Sequence, residues 1–192
     1  MWVAICSRTF ALEILQTNKR NIMGITWKLD PTHSEITFKV RHMMISNVKG
    51  NFTDFDAELQ SADENFRDAK VSATIKTASI STNNTDRDNH LRSADFFNAE
   101  AQPEIKFESD SLSNDVTGTL TMNGVSKPIH LAVDFGGVNV DPWGQTKAGF
   151  SFEGQINRKD FGLNWNTALE TGGLMVSDEV KIAGELQFVK QA

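Results

Sequence analysis

The chain has 192 residues, 39% of them hydrophobic and 23% charged, with a formal net charge of −6. That length can bury a real core, and scattered Lys and Arg on an acidic chain are a poor match for a phosphate backbone, so nucleic acid is not an expected partner. Cys6 is the one cysteine, which excludes an intramolecular disulfide and a cysteine-based zinc site.

Residues 1–23 carry apolar pieces interrupted by Arg8 and Glu13. They lack a basic start, a continuous apolar stretch and a small-x-small cleavage site, so they fit a disordered or helical extension better than a secretory signal. Met23 is a second candidate start. The expected address is the cytoplasm, with the periplasm as the alternative. No run of 18 apolar residues occurs, so no transmembrane helix is expected. Residues 24–192 are expected to form one domain.

From Ile25 onward the pattern has period two. Ile36, Phe38 and Val40 alternate with Glu35, Thr37, Lys39 and Arg41, and His42 and Met44 continue the apolar side. Phe52 is followed by Phe55, Ala57 and Leu59 in shifted parity, which predicts a bulge near Thr53-Asp54. Further strands carry Val71, Ala73 and Ile75, then Ile105 and Phe107, then Val116, Gly118, Leu120 and Met122. Asn123-Gly124 supplies the left-handed pair of a tight hairpin. The last three strands carry Ile129, Leu131, Val133 and Phe135; Ala148, Phe150, Phe152, Gly154 and Ile156; and Val180, Ile182, Gly184, Leu186 and Phe188.

One internal segment is helical in pattern. Asp86 to Phe97 follows a capping Thr85 and has acids in its first turn; Arg87 is expected to pair with a carboxylate. Gly136-Gly137 to Gly144 is expected as a loop, with Trp143 covering a barrel end or anchoring the loop. The fold class is all-β: eight antiparallel strands in a barrel or sandwich, with one short helical segment.

Eight strands give a barrel filled by side chains or holding one slender ligand. The 13 Phe, 4 Trp and absent Tyr suit a dry interior, whether packed or hollow. Small inward residues (Ala73, Gly118, Ala148, Gly154, Gly184) either leave room or relieve crowding, and spacing alone does not choose. If the barrel is hollow, Phe38, Val40, Ile75, Phe107, Leu120, Met122, Phe150, Phe152 and Ile182 line it. Phe96, Phe97, Phe161, Leu163 and Trp165 are then candidates for its entrance or closed end.

An ordered set of short segments adds a resemblance. Leu29-Asp30-Pro31-Thr32-His33-Ser34-Glu35-Ile36-Thr37-Phe38-Lys39-Val40-Arg41-His42 opens it. Val48-Lys49-Gly50-Asn51-Phe52, Ser79-Ile80-Ser81-Thr82 and the run from Arg87 to Phe97 follow. Pro103-Glu104-Ile105-Lys106-Phe107, the run from Gly118 to Pro128, Arg158-Lys159-Asp160-Phe161-Gly162-Leu163 and Val176-Ser177-Asp178-Glu179-Val180 complete it. The set resembles the YceI-like, polyisoprenoid-binding family over about residues 26–189. Gln102 departs from it, standing where an aromatic is usual. The resemblance implies a lipocalin-like barrel and an elongated apolar pocket for a polyprenyl or fatty-acid-like lipid, serving storage, shielding or transport. It implies no catalytic activity and no cofactor beyond the lipid, and it allows a homodimer.

The polar residues offer rival readings. Asp30, His33 and Ser34 fit a turn that bonds nearby backbone. Arg87 could hold a lipid phosphate, and His42, on the inward side, could touch a headgroup. A metal-dependent or acid–base hydrolase would need His33, His42 and His90 to converge with nearby Asp. A solid-core structural protein, as in a stress response, is the third reading. No catalytic or metal-ligating residue is assigned.

Overall fold

Alternating apolar residues bury one sheet face, and a barrel lets that face close on itself. The computed structural model describes residues 24–168 and 173–192. The extension expected over 1–23 lies outside them.

Eleven strands form one antiparallel sheet. They are β1 (Ile25–Leu29), β2 (Glu35–His42), β3 (Ser46–Phe52), β4 (Phe55–Ser61), β5 (Lys70–Lys76), β6 (Ile80–Ser81), β7 (Glu104–Ser109), β8 (Asp115–Met122), β9 (Val125–Val140), β10 (Thr146–Asn157) and β11 (Val176–Lys190). The order β1-β4-β5-β7-β8-β9-β10-β11 closes through β1–β11 pairing into an eight-stranded barrel. β2, β3 and β6 extend the sheet beyond it. The extension arises because three strand positions are broken. β1 and β2 both pair with β11, through Leu29↔Phe188 and Ile36↔Gly184. β4 and β3 pair with β1 and β2 in turn. The bulge expected at Thr53-Asp54 is instead a full break, because β3 pairs with β2 while β4 turns away to pair with β1 and β5.

In the extended half, among the described residues, no strand pairs with β6 on its outer side. The helix α1 (Thr85–Arg92) lies against it, Arg92 donating to the Ile80 carbonyl. The helix is shorter than the 86–97 pattern predicts. Its N-cap is Asn84 rather than Thr85, with the Asn84 side chain accepting from the Arg87 amide. Asp88 is buried and accepts from the amide and hydroxyl of Thr82. Arg87 donates to the Thr82 hydroxyl and carbonyl instead of pairing with a carboxylate, because β6 brings that backbone closer than any acid.

The hairpin at Asn123-Gly124 forms as expected, with φ of 51° and 75°. The glycine loop does not. β9 runs on to Val140, and Gly136 is an extra residue in its pairing with β10, between Phe135↔Phe150 and Gly137↔Gly149. The Gly pair is a bulge inside a strand, not a loop. Trp143, at the hairpin tip beyond, is 84% exposed, so among the described residues it covers no barrel end and is not packed to anchor the hairpin.

A polar hub fixes the β1–β2 break. Asp30 accepts from the hydroxyl and amide of Thr32, pairs with Lys147 of β10 at 3.0 Å, and accepts from Gln187 of β11. His33 Nδ1 lies 3.0 Å from its second oxygen. The Thr32 hydroxyl first, then Lys147 and His33, hold the Asp30 carboxyl well below the usual carboxylate range. With the native pKa below the unfolded one, this stabilisation is full above about pH 5 and is lost as pH falls below about 4. Asp30→Asn is therefore expected to cost about 2 kcal/mol at pH 7. The gap from the parent should shrink toward pH 2 in urea titrations; a gap independent of pH would refute the ionic account.

Candidate functional site

Two clusters of buried side chains divide the interior. In the closed half, Trp27, Phe66, Phe188 and Leu59 are almost wholly buried. The Phe66 ring lies 5.0 Å from that of Trp27 and 5.1 Å from that of Phe150. Trp27 satisfies its indole N–H on the Ser61 hydroxyl at 3.1 Å. This packing plugs one end of the barrel. The other cluster joins Ile36, Phe52 and Ile80 of the extension to Ile105, Leu120 and Leu131 of the barrel.

Between them lies a cavity of about 220 Å³. It runs from Ala57, Leu59, Val71 and Phe188 at the plug to Val40, Ile156, Leu163, Val176 and Val180 at the far end. No polar atom contributes to its exposed wall. It falls below the roughly 300–1,000 Å³ of sites for drug-sized molecules, so it suits a slender chain rather than a ring system.

The inward glycines explain how large side chains leave a lumen. A Cβ at Gly118 would overlap the Phe107 ring, and one at Gly184 would overlap the ring of Phe152. Gly50 stands in the same relation to Phe38, and Gly154 to Leu131. The glycines do not themselves create the hollow, because each is covered. They let a bulky neighbour lie along the wall instead of standing into the lumen.

Of the residues expected to line a hollow barrel, Phe38, Val40, Ile75, Phe107, Leu120, Met122, Phe150, Phe152 and Ile182 do so. Phe96, Phe97 and Leu163 join them at the end under α1. Phe161 is buried behind the wall, where the Asn123 amide donates to its carbonyl. Trp165 packs outside, its ring 5.1 Å from Phe96 and 4.8 Å from His90. Arg87 and His42 do not reach the lumen. His42 is half-buried at the end of β2, where Val40 is the last residue to face inward.

Arg158 carries a role that alternation could not reveal. It is 3% exposed, and its alkyl stem lines the cavity. Its guanidinium donates to the carbonyls of Ser177, Leu163 and Trp165 and reaches Asp178 at 3.4 Å. Burial lowers its pKa. The fork joins the end of β10, the 163–165 segment and the start of β11. The sequence signal was an Arg directly after a strand whose neighbours, Asn157 and Lys159, are exposed.

The histidines do not converge. His33 belongs to the Asp30 hub, His42 ends β2, and His90 pairs with Asp95 at 3.1 Å on α1. Among the described residues no three His, Cys, Asp or Glu side chains form a metal-binding group.

Comparison with known proteins places this architecture. Residues 27–188 match the family described as the YceI-like domain. A UPF0312 protein of Staphylococcus epidermidis is 42% identical over 164 residues, covering 84% of this chain and 96% of that protein. A UPF0312 protein of Staphylococcus aureus is 40% identical over 161 residues, covering 83% and 94%. The crystal structure of the Campylobacter jejuni YCEI protein superposes with a TM-score of 0.68 at 38% identity, over 79% of this chain and 90% of that one. A polyisoprenoid-binding domain from Saccharophagus degradans shares the fold, with a TM-score of 0.65 at 16% identity over 86% and 98%. The chain belongs to the YceI-like family.

Proposed function

We propose that the barrel holds one long, slender apolar lipid, an isoprenoid or fatty-acyl chain, and acts as a binder rather than a catalyst. The dry, elongated cavity between the plug and the far end carries this reading. Each methylene buried there contributes about 0.8 kcal/mol. By the measure of a roughly 150 Å³ cavity that takes the six carbons of benzene, this one takes about nine carbons, worth roughly 7 kcal/mol gross, inside the range of roughly 4–15 kcal/mol that association costs. A wall without polar atoms offers no handle for orienting a reacting group, so affinity comes from burial alone. The polyisoprenoid-binding domain of Saccharophagus degradans, which shares the fold, agrees with this chemistry. Storage, shielding and transport all use the same site.

Organic extraction of the purified protein followed by mass spectrometry should recover a long-chain lipid at about one per chain. Adding that lipid back to delipidated protein should raise the Tm. Repeated recovery of no apolar ligand, with no Tm response to polyprenols or fatty acids, would overturn the reading.

A further inference from the structure

The β2–β3 hairpin ends in an unusual turn. His42 to Ile45 closes through the Ile45 amide donating to the His42 carbonyl at 3.2 Å. Both central residues are left-handed, Met43 at φ 49° and Met44 at φ 61°. Such turns favour Asn-Gly, because a side chain with a Cβ is strained there. Here the strained positions carry methionines, and the apolar side chains point to solvent. Met43 is 41% exposed, Met44 60% and Ile45 76%. Arg41 holds the turn outward, donating from Nε and Nη2 to the Met44 carbonyl. Leu174, 41% exposed, stands beside Met175, whose carbonyl accepts from the Met43 amide.

The surface next to this tip is basic on an otherwise acidic chain. Lys49, Lys39 and Lys181 sit opposite one another across β3, β2 and β11. With Arg41 they make four exposed cations, and none is ion-paired among the described residues. Glu179 is the one exposed carboxylate on the outward face of this stretch of β11. Further along the same face the sign reverses, with Glu35 opposite Glu185 and Glu153 beside them. Charge is thus sorted along the strands, positive toward the apolar tip. The same strands carry the far end of the cavity, since Val40, Val176 and Val180 line it and Val176 pairs with His42.

We propose that the Met43-Met44-Ile45 tip, flanked by Lys39, Arg41, Lys49 and Lys181, docks on an anionic lipid bilayer and brings the cavity's far end to its source of lipid. The docking deepens the lipid-binding reading and rests on it for its purpose. Flexible methionines suit a surface that must adapt to mobile acyl chains. A cation row beside an apolar tip matches anionic headgroups over a hydrocarbon layer. A second copy of this chain meeting the tip head-on would set one basic row against another.

The test is cosedimentation of the full chain with vesicles of equal parts phosphatidylglycerol and phosphatidylcholine, and with phosphatidylcholine alone. Binding is expected to the anionic vesicles and to fall steeply with salt. Changing Lys39→Gln and Lys49→Gln together should lower partitioning about 25-fold, at about 1 kcal/mol per cation. The triple change Met43→Asn, Met44→Gly, Ile45→Thr should lower it about ten-fold or more while raising the Tm by about 3 °C, since the turn is relieved. Lost binding therefore cannot come from unfolding. Equal binding by parent and triple variant overturns the proposal, as does no binding to anionic vesicles. A dimer dissociated by the triple change would also overturn it, in favour of a second copy. If vesicles fail to bind while extraction still recovers a lipid, docking falls and the cavity reading stands. If vesicles bind but no lipid is recovered, docking stands without its purpose.

Discussion

Replacing Arg158 by methionine is expected to destabilise the protein by about 4 kcal/mol, lowering the Tm by about 8–16 °C. The methionine keeps the alkyl stem against the cavity and removes the guanidinium. Three backbone carbonyls, of Leu163, Trp165 and Ser177, then lose their donor. Each unsatisfied buried acceptor costs about 1–3 kcal/mol. Arg158→Lys should recover less than half of the loss, because one ammonium cannot serve acceptors spread across two segments as a planar fork does. Thermal unfolding of the three proteins without lipid checks this. A drop of only 1–2 °C in the methionine variant would show that water or a neighbour takes over the fork. The loss should extend to lipid binding, since Leu163 and Val176 line the cavity next to the segments that Arg158 joins.

The second large effect concerns the lumen. Ala73 on β5 faces the cavity, beside the buried Ala57 of β4 with which it pairs. Ala73→Phe places a ring into the lumen where two inward alanines adjoin and separates the stretch toward Phe188 from the rest. Excluding about six carbons of a bound chain would forfeit roughly 5 kcal/mol, a loss of affinity of a thousand-fold or more. Overpacking should cost about 1–3 kcal/mol of stability at most, so the variant remains folded for the measurement. Titration with a long-chain and a shorter-chain lipid separates the outcomes. The long chain should lose far more than the short one; equal affinity for both relative to the parent would place the ligand elsewhere. Gly184→Ala tests the same lumen from the opposite wall. Its Cβ would meet the Phe152 ring and the Glu35 carbonyl, so the ring must leave the wall and the β2–β11 backbone must also give.

The two substitutions probe different layers of information. Arg158 matters through three carbonyls that no periodic pattern announces, whereas Ala73 faces inward by simple alternation. Lining residues such as Phe38, Phe107 and Ile182 were legible because a strand with one buried face must alternate. The turn at Asn123-Gly124 was legible for equally local reasons, and so was the parity shift at Thr53-Asp54, although it marks a change of partner strands rather than the expected bulge. Gly136-Gly137 misled because a bulge and a loop use the same residues, and only the partner strand tells them apart. The helix start moved by one residue because Asn84 and Thr85 are both good caps, and the backbone chose Asn84.

Sequence by itself determined that the chain is all-β, where most strands lie and which side of each is apolar, since these follow from period two and turn chemistry. The family, too, could be read from ordered motifs. Tertiary structure alone decided that the barrel is hollow. A glycine next to a phenylalanine in sequence space says nothing about where the ring rests; it rests on the wall because the pairing of β2 with β3, and of β10 with β11, sets Phe38 over Gly50 and Phe152 over Gly184. It also decided that Arg158 joins the segments at the cavity's far end, and that Lys39, Lys49 and Lys181 form one row, because register across strands is a property of the sheet and not of any one strand.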